Sequence, residues 1–163
     1  MTTTAATVAN GNATGSAPET IFQTTLKDSI TVSGVGLHTG ASVNLTFRPA
    51  PENHGYKFQR VDLPGQPVVE ADVDYVTDTD RGTTISKNGT RVSTIEHVLA
   101  ALAGMEIDNV LMEIDGPEVP IMDGSSRPFM DLLEKVLSSL KNLDKKWKGS
   151  EIKLPVYALP PVS

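Results

Sequence analysis

Thr83-Thr84-Ile85-Ser86, the pair Asn88-Gly89, Thr90-Arg91-Val92 and then Ser93-Thr94-Ile95-Glu96-His97-Val98-Leu99-Ala100-Ala101-Leu102-Ala103-Gly104 decide the fold. The first runs are rich in β-branched residues and flank Asn-Gly, the strongest short-range hairpin signal. The last run changes period. At about 100° per residue, Ile95, Val98, Leu99 and Leu102 form one apolar stripe, with Glu96, His97, Ala100 and Ala101 opposite. A hairpin that leads straight into an amphipathic helix predicts strands and helices sharing one core. Ser93 is the predicted N-cap and Gly104 the predicted left-handed residue at the C-terminus.

Working outward, Gln23–Lys27, Ser29–Ser33, Val43–Arg48 and Tyr56–Val61 read as short strands, several alternating apolar with polar residues. Pro49, Pro51, Gly55 and Leu63-Pro64-Gly65 break the chain between them. Val110–Ile114 reads as a further apolar strand. A second helix is expected from Pro128 to about Leu140, with proline in its first turn and an apolar repeat at Phe129, Leu132, Leu133, Val136 and Leu140. Lys141–Gly149 reads as a polar connector and Ile152–Tyr157 as one more strand. The expected fold class is α+β, a two-layer sandwich of a mostly antiparallel sheet with two helices on one face. Residues 1–20, made of Thr, Ala, Asn, Gly and Ser, read as a flexible tail.

Composition narrows the chemistry. Hydrophobic residues at 39% and charged residues at 21% of 163 describe an ordinary globular chain with one domain's worth of core. A net charge of -6 argues against a nucleic-acid surface, which needs clustered Lys and Arg. With no cysteine, a metal site must use His, Asp, Glu or water. No apolar run approaches the roughly 20 residues of a membrane span. Residues 1–20 hold no Lys or Arg, so neither a signal nor a transit peptide is expected, and the expected location is the cytoplasm.

The helix face that carries Glu96 and His97 also carries two alanines where an exposed face would usually be charged, which predicts that something packs closely there. Glu96 has two readings. In the S-x-x-E spacing with Ser93 it can bond back to the Ser93 N–H as a capping box, or it can do chemistry. His97 has no second His at i+4 to make a metal pair on one helix.

Thr94-Ile95-Glu96-His97-Val98-Leu99-Ala100-Ala101-Leu102-Ala103-Gly104 closely resembles the active-site helix of the UDP-3-O-acyl-N-acetylglucosamine deacetylases. Ser33-Gly34-Val35-Gly36-Leu37-His38-Thr39-Gly40 is similar to that family's glycine-rich turn, and Phe47-Arg48-Pro49-Ala50-Pro51 to the segment after it. Ile107-Asp108-Asn109-Val110 and Pro117-Glu118-Val119-Pro120-Ile121-Met122-Asp123-Gly124-Ser125 continue the match in order. The resemblance runs from about Thr25 to Leu140.

This resemblance implies a zinc enzyme that hydrolyses the acetamide of UDP-3-O-acyl-N-acetylglucosamine in lipid A biosynthesis. It makes His97 one of three zinc ligands and Glu96 the general base for the attacking water. It places His38 at the mouth of the site, beside the alternative that its ring only closes the turn. The Asp78–Thr83 segment is similar to a loop lining the substrate site, making Arg81 and Thr83 substrate-binding candidates. Arg81 would meet a phosphate there, or else remain a solvated loop cation. Asp123-Gly124 is read as a tight turn following a strand, beside the alternative of a direct active-site role.

The family enzyme has a second domain, which brings another zinc His, a zinc Asp, a catalytic His and most of the acyl-chain channel. His38, His54 and His97 are the histidines here, and His54 matches no ligand. The expected organisation is a tail over 1–20, an N-terminal deacetylase domain over 21–143, and a linker over 144–163 that includes a possible first strand of a missing second domain. The partners implied are the UDP-sugar substrate and that second domain. The alternative function is a binding or scaffold module that keeps the fold without the chemistry.

Overall fold

The structure, a computed structural model, describes residues 22–137 and 141–146. The expected tail over 1–20, the strand over 152–157 and the end of the second helix lie outside the described residues. Strand β1 is Phe22–Thr25, β2 Ile30–Val35, β3 Ser42–Pro49, β4 Tyr56–Arg60 and β5 Val68–Glu70. A single 3-10 turn over Val73–Tyr75 leads to β6 Val76–Asp78, β7 Thr84–Lys87 and β8 Thr90–Val92. Helix α1 is Glu96–Gly104, β9 Val110–Ile114, α2 Arg127–Leu137 and β10 Lys141–Lys146.

The main sheet has the order β2-β3-β9-β4-β5 and is antiparallel except where β4 and β9 run parallel. Its register puts Leu45 opposite Ile114, Phe47 opposite Met112, and Met112 beside Phe58. Alternation then sends Val43, Leu45, Phe47, Phe58, Val110, Met112 and Ile114 to one face, where all are buried. The same core cluster takes in Val98, Leu99 and Leu102 of α1 and Phe129 and Leu133 of α2, so sheet and helices form the two layers of an α+β sandwich. The expected hairpin is present: Asn88 and Gly89 have φ of 50° and 80°, and Lys87 pairs with Thr90 as β6, β7 and β8 form a small sheet.

Four local expectations need correction. Helix α1 begins at Glu96, not after Ser93. Ser93 continues the path of β8, donating its N–H to the Pro117 carbonyl and accepting from Val119 N–H, so it is no cap. At the other end the left-handed residue is Glu106, φ 56°, rather than Gly104. Ile107 N–H bonds to Leu102 O and Glu106 N–H to Ala103 O, the paired bonds of a Schellman motif one turn further on. Ala101 is fully buried within this domain while Ala100 is exposed. Helix α2 packs on α1, so the covered arc of α1 is wider than its sheet-facing stripe, and a small side chain suits its shoulder. Finally, part of the expected connector is strand β10, paired antiparallel with β1.

A second buried feature ties β1 to the sheet. The Asn109 side chain, fully buried, accepts from Gly55 N–H at 2.9 Å and donates to Gln23 Oε1 at 3.0 Å. Gln23 Oε1 also accepts from Asn53 N–H, and Thr25 Oγ1 donates to Asn109 O. Where the ladders end, side-chain amides satisfy the backbone.

Two stability outcomes follow. Leu99→Ala should cost about 2 to 5 kcal/mol in urea unfolding by leaving a cavity, and Ala101→Lys at least as much, because an ammonium has no place in that packing. Ala100→Lys should stay within about 0.5 kcal/mol of the parent, and a loss as large as that of Leu99→Ala would show its face to be covered. Asn109→Ala should cost about 2 kcal/mol or more, since the Gly55 amide loses a buried acceptor. Hydrogen exchange at Gly55 should then accelerate, and unchanged protection there would remove Asn109 from that role.

Candidate functional site

The residues singled out from the sequence lie along one chain of contacts. Helix α1 starts with Glu96 and His97, both half-buried, in its first turn. Glu96 Oε2 accepts from Thr83 N–H at 2.9 Å, which rules out the capping-box reading because the Ser93 N–H is used elsewhere. Glu96 Oε1 makes no hydrogen bond among the described residues. The approach of the 82–83 loop is close: a Cβ on Gly82 would stand 3.0 Å from Glu96 Oε1, and Gly82 has φ 131°. A side chain at position 82 would meet both objections at once.

The glycine-rich turn holds the other end. Gly40 N–H bonds to Gly36 O, and His38 projects from this turn, exposed, with Nε2 2.9 Å from Arg81 O. The ring of His38 therefore does close a loop, and the loop it closes is the one that carries Arg81 and Thr83. The Arg81 side chain is exposed and makes no ion pair or hydrogen bond among the described residues. His54 lies apart, its Nδ1 against its neighbour's carbonyl at Gly55, and burial lowers its pKa despite that bond.

Sequence reasoning passed over the residue that joins these parts. Glu118 is 2% exposed, and its carboxylate accepts from His38 N–H at 3.1 Å, Thr39 N–H at 2.9 Å and Thr94 Oγ1 at 3.0 Å. Burial pushes the Glu118 carboxyl up, but the Thr39 and His38 amides and the Thr39 and Thr94 hydroxyls outweigh it and hold the pKa below the usual value. The available signal was a lone charged residue set between Pro117 and Val119-Pro120-Ile121. Gly36 is needed beside it, because a Cβ there would lie 2.5 Å from Glu118 Oε2 and 2.3 Å from Thr39 Oγ1.

A cavity of about 470 Å³ lies against this junction, lined among others by His38, Arg81, Gly82, Arg91, Thr94 and Glu118. Glu96 and His97 do not line it. Gly82, which does, is the residue pressed against Glu96 Oε1, so the cavity and the acid–imidazole pair share a wall.

The turn after Pro120 behaves as expected of Asp123-Gly124. Asp123 Oδ1 accepts from Ser125 N–H and Oγ, and Gly124 has φ 82°. Those Ser125 bonds are the main reason the Asp123 pKa is lowered, and the nearby charge of His97 adds to them. Among the described residues no three of His, Asp and Glu converge to hold a metal. What the site does offer is one imidazole, His97, at the open end of a helix, beside a carboxylate with a free oxygen and within electrostatic reach of a second.

No helix among the described residues is long and apolar enough to cross a membrane. A family model for the UDP-3-O-acyl N-acetylglycosamine deacetylases matches residues 23–158. A bifunctional LpxC/FabZ enzyme of Bacteroides thetaiotaomicron is 56% identical over 114 residues, 70% of this chain and 25% of that protein. The UDP-3-O-acyl-N-acetylglucosamine deacetylase of Myxococcus xanthus is 52% identical over 117 residues, 72% of this chain and 37% of that one. That of Xanthomonas campestris pv. campestris is 48% identical over 136 residues, 82% of this chain and 44% of its own length. The chain thus spans between a quarter and under half of these relatives. The glycine turn, the Glu96-His97 helix and the Pro117–Ser125 segment all lie inside the matched span, and on that match the chain belongs to the UDP-3-O-acyl N-acetylglycosamine deacetylase family.

Proposed function

We propose that this chain forms one half of the active site of a zinc-dependent deacetylase that hydrolyses the acetamide of UDP-3-O-acyl-N-acetylglucosamine to a free amine and acetate. The observation that carries the reading is the state of Glu96, with one carboxylate oxygen held by Thr83 N–H, the other free, and His97 next to it on the uncovered face of α1. His97 would supply a neutral imidazole to the metal, and the remaining ligands would come from outside the described residues. Bound zinc would polarise the amide carbonyl and make water a competent nucleophile near neutral pH. Glu96 takes the proton from the attacking water, a task for which a fixed carboxylate with an open oxygen is suited. Arg81, exposed at the cavity wall, would meet a phosphate oxygen of the UDP group. His38 and Thr83 shape the substrate side by holding the 78–83 loop.

Ala100, small and exposed on the same helix face, leaves room for a second domain to close over Glu96 and His97. We further propose that residues 21–143 act as the N-terminal deacetylase domain, that 144–163 lead toward that second domain, and that the enzyme works in the cytoplasm, where UDP-sugars are the available substrates.

Two outcomes test this. In protein that includes the second domain, Glu96→Gln should lower kcat about 100-fold or more while zinc content stays at the parent level. Parent turnover in that variant would leave Glu96 a purely structural role. The 163-residue chain alone should bind zinc far more weakly than a three-ligand site. Stoichiometric zinc retained after dialysis against a mild chelator would show that His97 finds its other ligands here.

A further inference from the structure

Thr94 has φ 60°, a left-handed conformation that a β-branched residue seldom adopts, and it is buried, two positions before Glu96. Such a residue is strained and persists only where its surroundings over-determine it. Here the determinants are visible. Ser93 on one side is locked to the 117–119 segment by two backbone hydrogen bonds, and the Thr94 hydroxyl donates to Glu118 Oε1. Glu118 is in turn fixed by the His38 and Thr39 amides, 80 and 79 positions away along the chain.

Helix α1 has no side-chain cap, since Ile95 occupies the cap position in a helical conformation. The direction in which its first turn presents Glu96 and His97 is then set by the link that precedes it, by the Ile95 N–H bond to Thr83 O and by the Thr83 N–H bond to Glu96. We propose that Glu118 is a positioning residue of the active site: through Thr94 it holds the start of α1 in register with the His38 turn, and so fixes the aim of Glu96. It touches no substrate in this role. The proposal rests on the deacetylase reading for its kinetic consequence and on geometry alone for its structural one.

The test separates the two. Thr94→Val keeps the size and branching and removes only the donor to Glu118, Thr94→Ser keeps the donor, and Thr94→Gly removes the donor while relieving the left-handed strain, which keeps the test open should the Val variant fail to fold. In protein that includes the second domain, Val and Gly should lower kcat tenfold or more with KM changed less than about threefold and zinc content unchanged, and Ser should restore kcat to within about threefold of the parent. In the 163-residue chain, the Thr83 amide resonance, which reports the bond to Glu96, should move in Val and Gly and stay in Ser. If Val and Gly lose melting temperature but keep parent kcat and the parent Thr83 resonance, Glu118 only stabilises the fold and the proposal is overturned. If the parent protein has no deacetylase activity, the deacetylase reading fails, and the Thr83 resonance still decides whether Glu118 aims Glu96.

Discussion

A carboxylate that is 2% exposed is tolerable only if its lone pairs are filled, and Glu118 fills them from two elements that are remote in sequence. That requirement organises this end of the molecule. The His38 turn must bring two amides to one point, which needs Gly36 without a side chain. The approach to α1 must bring a hydroxyl to the same point, which puts Thr94 in a conformation it would not choose. An isolated charge would be expelled or neutralised. Three donors convert it into a joint that draws its partners together, and its lowered pKa is the electrostatic record of that.

Asn109 applies the same principle at another junction with a neutral group. Its amide meets Gly55, Gln23 and, through the backbone, Thr25, binding β1 to the ends of β4 and β9. In both places the regular ladders stop and a buried polar side chain takes over the accounting of backbone donors and acceptors. The sheet supplies the rigid body, and these two residues determine how the loops attach to it.

The parts of this arrangement visible in the sequence are those written in local period. β3 and β4 alternate, β9 is a short apolar run, the Asn88-Gly89 hairpin is a local signal, and the stripe of Ile95, Val98, Leu99 and Leu102 is a helical one. What escaped was non-local. Ser93 has the chemistry of a cap, but its backbone is taken by Pro117 and Val119, so the helix starts later. Ala101 lies off the apolar stripe and is buried because α2 packs on α1, a fact no window on α1 contains. Lys141–Lys146 reads as solvated polar chain, yet its backbone pairs with β1, and backbone pairing does not depend on which side chains are polar. For the site, Glu96, His97, His38, Arg81 and Thr83 were named from motif resemblance, and the structure connects four of them through Nε2 of His38 and the Thr83 amide. Glu118 lies in a quoted motif as a lone acid among prolines and apolar residues, with no partner at a telling spacing to mark it. Its importance exists only in three dimensions.

The division between fixed and free groups at the site has a physical logic. Glu96 is half satisfied: one oxygen is anchored by a backbone donor, which orients the group without consuming it, and the other makes no hydrogen bond among the described residues. His38 likewise commits Nε2 to a carbonyl. Arg81, by contrast, is bound to nothing among the described residues, and a long cation on an exposed loop loses side-chain entropy only when it finds an anion. Glu96 and His38 are therefore held by backbone groups of the opposing loop, and Arg81 is left unrestrained. On the two-domain reading proposed above, the described residues would present Glu96 and His97 already aimed before a second domain closes over them, and a shared site depends on that kind of preorganisation.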